Sequence, residues 1–96
     1  MLERVKKAIR IRHDDLDDEI LETIDAARAE MVRAGISESA AYSDTLELIN
    51  KAILTYCQAE YASDKAMAEK FTKSWEYQLD NLRKTIGYMA EVVVNV

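Results

Sequence analysis

An all-α fold is predicted by three features of this chain. Proline is absent and glycine occurs only at Gly35 and Gly87, so the usual punctuation of strands and tight turns is missing. Apolar residues recur at i, i+3, i+4 and i+7 through three long segments, the spacing of an amphipathic helix. Residues able to cap helix ends fall between those segments. The expectation is a small bundle of three main helices, a short N-terminal helix and an extended C-terminal tail, forming one domain over residues 1–96.

The first helix is expected from Leu2 to Ile9, with Leu2, Val5, Ala8 and Ile9 on one side. Lys6, Lys7, Arg10 and Arg12 make this end basic. An acidic break follows at His13–Glu19, where Asp14 or Asp15 is placed to cap a new helix and the acids after it suit the positive end of its dipole. The second helix should run from about Leu16 to Ala34, burying Ile20, Leu21, Ile24, Ala27, Met31 and Val32. Glu22, Arg28, Glu30 and Arg33 fit solvent or the edge of that stripe. Gly35 stands where helices commonly close in a left-handed conformation, with Ile36 placed to pack back on the last turn. Ser37 to Ser43 is a polar connector, and Asp44 with Glu47 resembles a capping box.

The segment Asp44–Tyr61 is the expected central helix. Leu46, Ile49, Ala52, Ile53, Tyr56 and Cys57 form its stripe, and Leu48 and Ala59 widen the face enough for neighbours on more than one side. Ser63 and Asp64 are good caps and the stripe changes phase there, so a break is expected at Ala62–Asp64. The last helix carries Phe71, Trp75, Leu79, Leu82 and Ile86, and Gly87 ends it. Tyr88 to Val96, with Val92, Val93, Val94 and Val96, reads as extended chain. Its own sequence offers this tail no partner strand, so it either lies along the helices or adds to another subunit.

With 13 basic and 18 acidic residues the net charge is -5, which disfavours tight binding to a phosphate backbone. The one cysteine, Cys57, cannot form an internal disulfide and suits a reducing compartment. No apolar run approaches the roughly 20 residues that span a bilayer, and Met1–His13 lacks the apolar core of a signal peptide. The expectation is a soluble protein made in the cytoplasm, with no membrane partner. Asp14–Glu19 lacks the glycine and ligand spacing of a calcium loop and reads as a solvated capping turn. His13 is the only histidine, which disfavours a zinc site and leaves Cys57 without an activating base. Phe71 and Trp75 fall on the core stripe, whereas Tyr77 and Tyr88 are interface candidates. The basic stretch Arg4–Arg12 and the acidic block Asp14–Glu19 are suited to salt bridges, within the chain or between copies. With no Gly-rich phosphate loop, nucleophile elbow or paired-carboxylate motif, no catalytic, cofactor or metal residue is assigned.

The stretch VKKAIRIRHDDLDDEILETIDAARAEMVRAGI resembles the amino-terminal half of the small head–tail connector proteins of long-tailed DNA phages and prophages, also called head-completion, adaptor or DNA-packaging proteins. The likeness continues through Asp44-Thr45-Leu46, Lys51–Tyr56 and Ala68–Phe71, then Ser74, Leu79, Leu82 and Tyr88. After the central helix this chain has Tyr61-Ala62-Ser63, where the family often has an aromatic residue followed by glycine. The resemblance implies a virion protein at the head–tail junction, acting in head completion after DNA packaging. It implies a ring of about a dozen copies that docks on the portal, receives a head-closure (stopper) or tail protein, and extends a channel for DNA without sequence-specific binding. An acidic ring would repel the passing DNA backbone. Within that picture Arg10 and Arg12 of one subunit face Asp17 and Asp18 of the next, and Tyr88 with Val92, Val93 and Val94 forms an assembly arm.

Two other readings compete. A small all-helical chorismate mutase has about this length, and Arg12, Arg28 and Lys51 are the cations it would need to hold a dicarboxylate. The acidic break at Asp14–Asp18 interrupts the long first helix of that architecture. A helical dimer acting as a regulatory interaction module is the third.

Overall fold

A computed structural model describes residues 1–85 and Tyr88. Five helices follow one another: α1 (Leu2–Ala8), α2 (Asp17–Arg33), α3 (Glu38–Ala41), α4 (Glu47–Glu60) and α5 (Lys65–Lys84). No strand occurs among the described residues. The fold is the small all-α bundle expected, with one addition: the connector after Gly35 contains the single turn α3. Ser37 starts that turn, its hydroxyl accepting from the Ala40 N–H at 3.3 Å.

As expected, α4 is central and packs against α1, α2 and α5, while α3 rests on α2. Its stripe buries Ile49, Ala52, Ile53 and Cys57, which meet Val5 of α1 and Ile20, Ile24, Ala27 and Met31 of α2. Ile36, Ala40 and Ala41 close that core from the connector, and Trp75 and Leu82 join it from α5. Ile20, Met31, Ile36, Ile49 and Ile53 are fully buried, each contributing about 1.5–3 kcal/mol relative to exposure. Leu21, Val32 and Leu48, expected on apolar stripes, are instead exposed. Phe71, expected in the core, is only half-buried, because it lines an open hollow with Ala8, Ile9, Gln58 and Tyr61.

The chain turns with two closely related devices. After α2, the Gly35 N–H donates to Val32 C=O and the Ile36 N–H to Met31 C=O, both at 3.0 Å, with Gly35 at φ 104°. This is the Schellman closure expected there, with Ile36 as its apolar lock. After α1 the same pair of bonds recurs, Arg10 N–H to Lys7 C=O at 3.3 Å and Ile11 N–H to Lys6 C=O at 2.9 Å. Here the left-handed position is filled by Arg10, at φ 61°. A non-glycine residue there costs about 1–2 kcal/mol of local strain.

Two expected caps are replaced. Leu16, not Asp14 or Asp15, precedes α2, and Leu46 rather than Asp44 precedes α4, neither with a side-chain cap. All three displaced or alternative acids have the side chain for capping, but Asp14 and Asp44 are drawn to buried cations described below. The break before α5 is as expected: the Asp64 carboxylate accepts from the Met67 N–H at 2.8 Å. Helix α5 stops at Lys84, earlier than Gly87, where Thr85 turns extended and its hydroxyl bonds to Asn81 C=O at 2.9 Å. Ile86, Gly87 and the expected extended tail after Tyr88 lie outside the described residues.

Candidate functional site

Two buried cations organise the chain's connections: Lys6, in the basic stretch expected to pair with the acidic block, and Arg28, expected at solvent or the edge of its stripe. Lys6 lies beside Val5 on the inner side of α1 and reaches the acidic turn, hydrogen-bonding Asp14 Oδ1 at 2.7 Å. Asp17 Oδ1 is 2.9 Å away, an ionic contact off the hydrogen-bond axis. Those two carboxylates hold the Lys6 ammonium well above its ordinary range, and Lys6 in turn holds the Asp14 carboxyl below its own. Arg28 projects from α2 to the loop between α3 and α4. Its Nη1 donates to Ala41 C=O at 2.8 Å and Ser43 C=O at 3.4 Å, and its Nη2 to Asp44 Oδ1 at 3.0 Å. The guanidinium also lies 5.9 Å from the Tyr42 ring centroid. Asn50 of α4 holds the same loop, its Nδ2 donating to Asp44 C=O at 2.9 Å.

These contacts fix the positions of the residues expected at interfaces. Arg10 and Arg12 are exposed on the turn after α1, around a hollow that Lys6, Lys7, Ile11 and Asp14 also line. Asp18 is exposed at the start of α2, whereas Asp17 is half-buried and already engaged by Lys6. Tyr88 is half-buried, and its C=O accepts from the Ser37 N–H at 2.6 Å, which ties the end of the described chain to the start of α3. Val92, Val93 and Val94 lie outside the described residues.

A second surface was not visible in the sequence. Where α2, α4 and α5 meet, a groove is floored by Tyr56, Ala59, Trp75 and Leu79 and rimmed by Glu30, Glu60 and Glu76. It continues past Tyr56 and Tyr61 to Glu19 and Glu22. Tyr56 and Trp75 meet edge to face with centroids 4.9 Å apart. Burial, then Glu60 and Glu30, push the Tyr56 hydroxyl above its ordinary pKa. The groove draws its residues from α2, α4 and α5, so only the packed fold brings them together.

Nothing in this arrangement resembles a reaction centre. Cys57 is fully buried, and burial followed by Glu60 pushes its thiol up to about 12, far from the thiolate a nucleophile requires. His13 is exposed, with Nδ1 accepting from the Asp15 N–H at 3.3 Å. Among the described residues, no three His, Cys, Asp or Glu side chains converge as metal ligands. None of the described helices is long and apolar enough to cross a membrane. Of the three cations an anion-binding enzyme would use, Arg28 is spent on the loop at residues 41–44, and Arg12 and Lys51 are exposed.

The fold and its surfaces define a small helical protein whose features are contact surfaces of opposite charge. Residues 1–89 match the sequence profile of the phage connector protein family, and the chain belongs to that family. No curated protein and no solved structure matches it.

Proposed function

We propose that this chain is a structural virion subunit that closes into a ring between the portal of the phage head and the head-closure or tail proteins. The match to the phage connector family over residues 1–89 carries this reading. In it, about a dozen copies stack on the portal and extend the DNA channel, completing the head after packaging. The net charge of -5 supports passage of DNA without adhesion, because an acidic wall repels the phosphate backbone. The chain acts through shape and contact, with no catalytic step. The apolar residues Val92, Val93 and Val94, following Tyr88, supply an arm that docks on a neighbour or on the portal.

Deletion of the gene from an inducible prophage tests the role. The expected result is DNA-filled heads without attached tails, visible by negative-stain electron microscopy and restored by the gene in trans. Normal infectious particles from the deletion strain would overturn it. A chain truncated after Met89 tests the arm separately: wild-type ring formation and portal docking by that truncation would remove the arm from the proposal.

A further inference from the structure

We propose that the basic turn Arg10–Ile11–Arg12 of one copy seats in the acid-rimmed aromatic groove between α4 and α5 of a second copy, forming the head-to-tail contact of the assembly. This rests on the ring reading above and names the surfaces it would use.

Charge complementarity selects the occupant. Among the described residues, Glu19, Glu22, Glu60 and Glu76 on the groove make no ion pair. Nor do Arg10 and Arg12 on the turn, or Lys7 in the last turn of α1. The acidic block nearest those arginines in sequence is a poorer acceptor than expected, since Lys6 already holds Asp14 and Asp17. A groove lined by the half-buried Tyr56 and edged by Glu30, Glu60 and Glu76 suits a guanidinium, which pairs with carboxylates in a fork and tolerates an aromatic neighbour. Ile11, between the two arginines, packs back on its own core and so anchors the turn that presents them.

The placement also suits repetition. The turn and the groove share no residue, so one copy can offer its turn while its groove receives another. A contact between two different patches continues from copy to copy and closes into a ring when the rotation permits. Arg10 adds a further sign: it occupies the left-handed helix-closing position where glycine is unstrained, so its side chain is present despite the backbone's preference.

The test pairs two variants of the full chain, R10E/R12E with a broken turn and E60K/E76K with a broken groove. Each alone is expected to self-associate at least about ten-fold more weakly than wild type by sedimentation equilibrium. Mixed, they retain one intact contact. Isotope-labelled R10E/R12E titrated with unlabelled E60K/E76K should then show amide shifts at residues 56–60 and 72–79. Combining all four substitutions in one chain should restore self-association, because the swapped charges attract again. Arg10→Gly should keep or raise the thermal midpoint while weakening association about ten-fold. Wild-type association by either double variant, or a titration without shifts in the groove, overturns the proposal. Closed rings that neither variant disturbs would leave the ring reading standing and place its contact elsewhere. A mixed pair that forms while the wild-type chain makes only open or two-copy species would uphold the contact and remove the ring.

Discussion

Among the described residues, twelve of the fourteen buried apolar side chains come from residues 5–57, contributed by α1 to α4 and their connections, whereas α5, the longest helix, adds only Trp75 and Leu82. The first region is also tied by buried polar groups, Lys6 to the acidic turn and Arg28 and Asn50 to the loop before α4. Helix α5 is joined to α4, among the described residues, by its apolar stripe and one cross-helix polar bond, Gln78 Nε2 to Thr55 Oγ1 at 2.8 Å. A body with most of the buried core therefore carries a long helix whose extensive packing is against α4. Among the described residues Tyr77 and Met67 of that helix are exposed, which suits them to contacts made by the assembled protein.

The largest effect should separate the two regions. Ile53→Ala removes a fully buried side chain from that body and should cost about 3–4 kcal/mol, read as a lower urea midpoint with unchanged slope. Leu79→Ala, at a half-buried position on α5, should cost about 1 kcal/mol. Equal losses would show that the two regions share one degree of packing. Next, Arg28→Ala should cost about 2–4 kcal/mol, because the Ala41 and Ser43 carbonyls lose their donor, and Arg28→Lys should rescue little of it because one ammonium cannot span those acceptors. Full rescue by lysine would mean that charge alone matters there. Smaller again, Asp64→Ala should cost about 1 kcal/mol and speed hydrogen exchange at the start of α5 while leaving α2 protected. Uniform acceleration across the chain would tie the helix to the body more tightly than its contacts indicate.

The gentlest probe is pH. Cys57, Tyr56 and Lys6 all keep their protons in the folded chain beyond the ordinary values of 9.0, 10.0 and 10.5 at which the unfolded chain gives them up. Their contribution is complete below those values and is lost as pH rises, so the urea midpoint should begin to fall near pH 9.0. Asp14, held down by Lys6, and Asp80, held down by Lys84 and Arg83, act at the other edge. Their folded values lie below 3.8, so what they contribute is present above that pH and lost on further acidification. Cys57→Ala should delay the alkaline fall; an unchanged onset would assign it to Tyr56 and Lys6.

Helices α1, α2, α4 and α5, the Gly35 closure, the break at Asp64 and the central place of α4 were legible because each depends on local spacing or on a residue with one strong backbone preference, whereas the short α3 was read as connector. The buried cations were not, although position carried a hint. Arg28 stands four residues after Ile24 and three before Met31, in phase with the buried stripe, and Lys6 directly follows buried Val5. Charge argued for solvent; the carbonyls at Ala41 and Ser43 that make burial tolerable are far enough along the chain that no local pattern announces them. The same remoteness hid the capping failures, since Asp14 and Asp44 are diverted by partners 8 and 16 residues away. The acid-rimmed groove draws on three helices and exists only once they are packed. Family resemblance identified the connector class through its distributed apolar positions, and such positions do not mark surfaces.

Cys57 is the chain's only thiol, enclosed within α4's packed side and neutral at physiological pH. A sulfhydryl reagent can modify it only during excursions that part α4 from its neighbours, so the labelling rate counts those excursions in unaltered protein. Comparing that rate before and after incorporation into particles would measure how far docking suppresses internal motion, without a dye, a tag or a substitution.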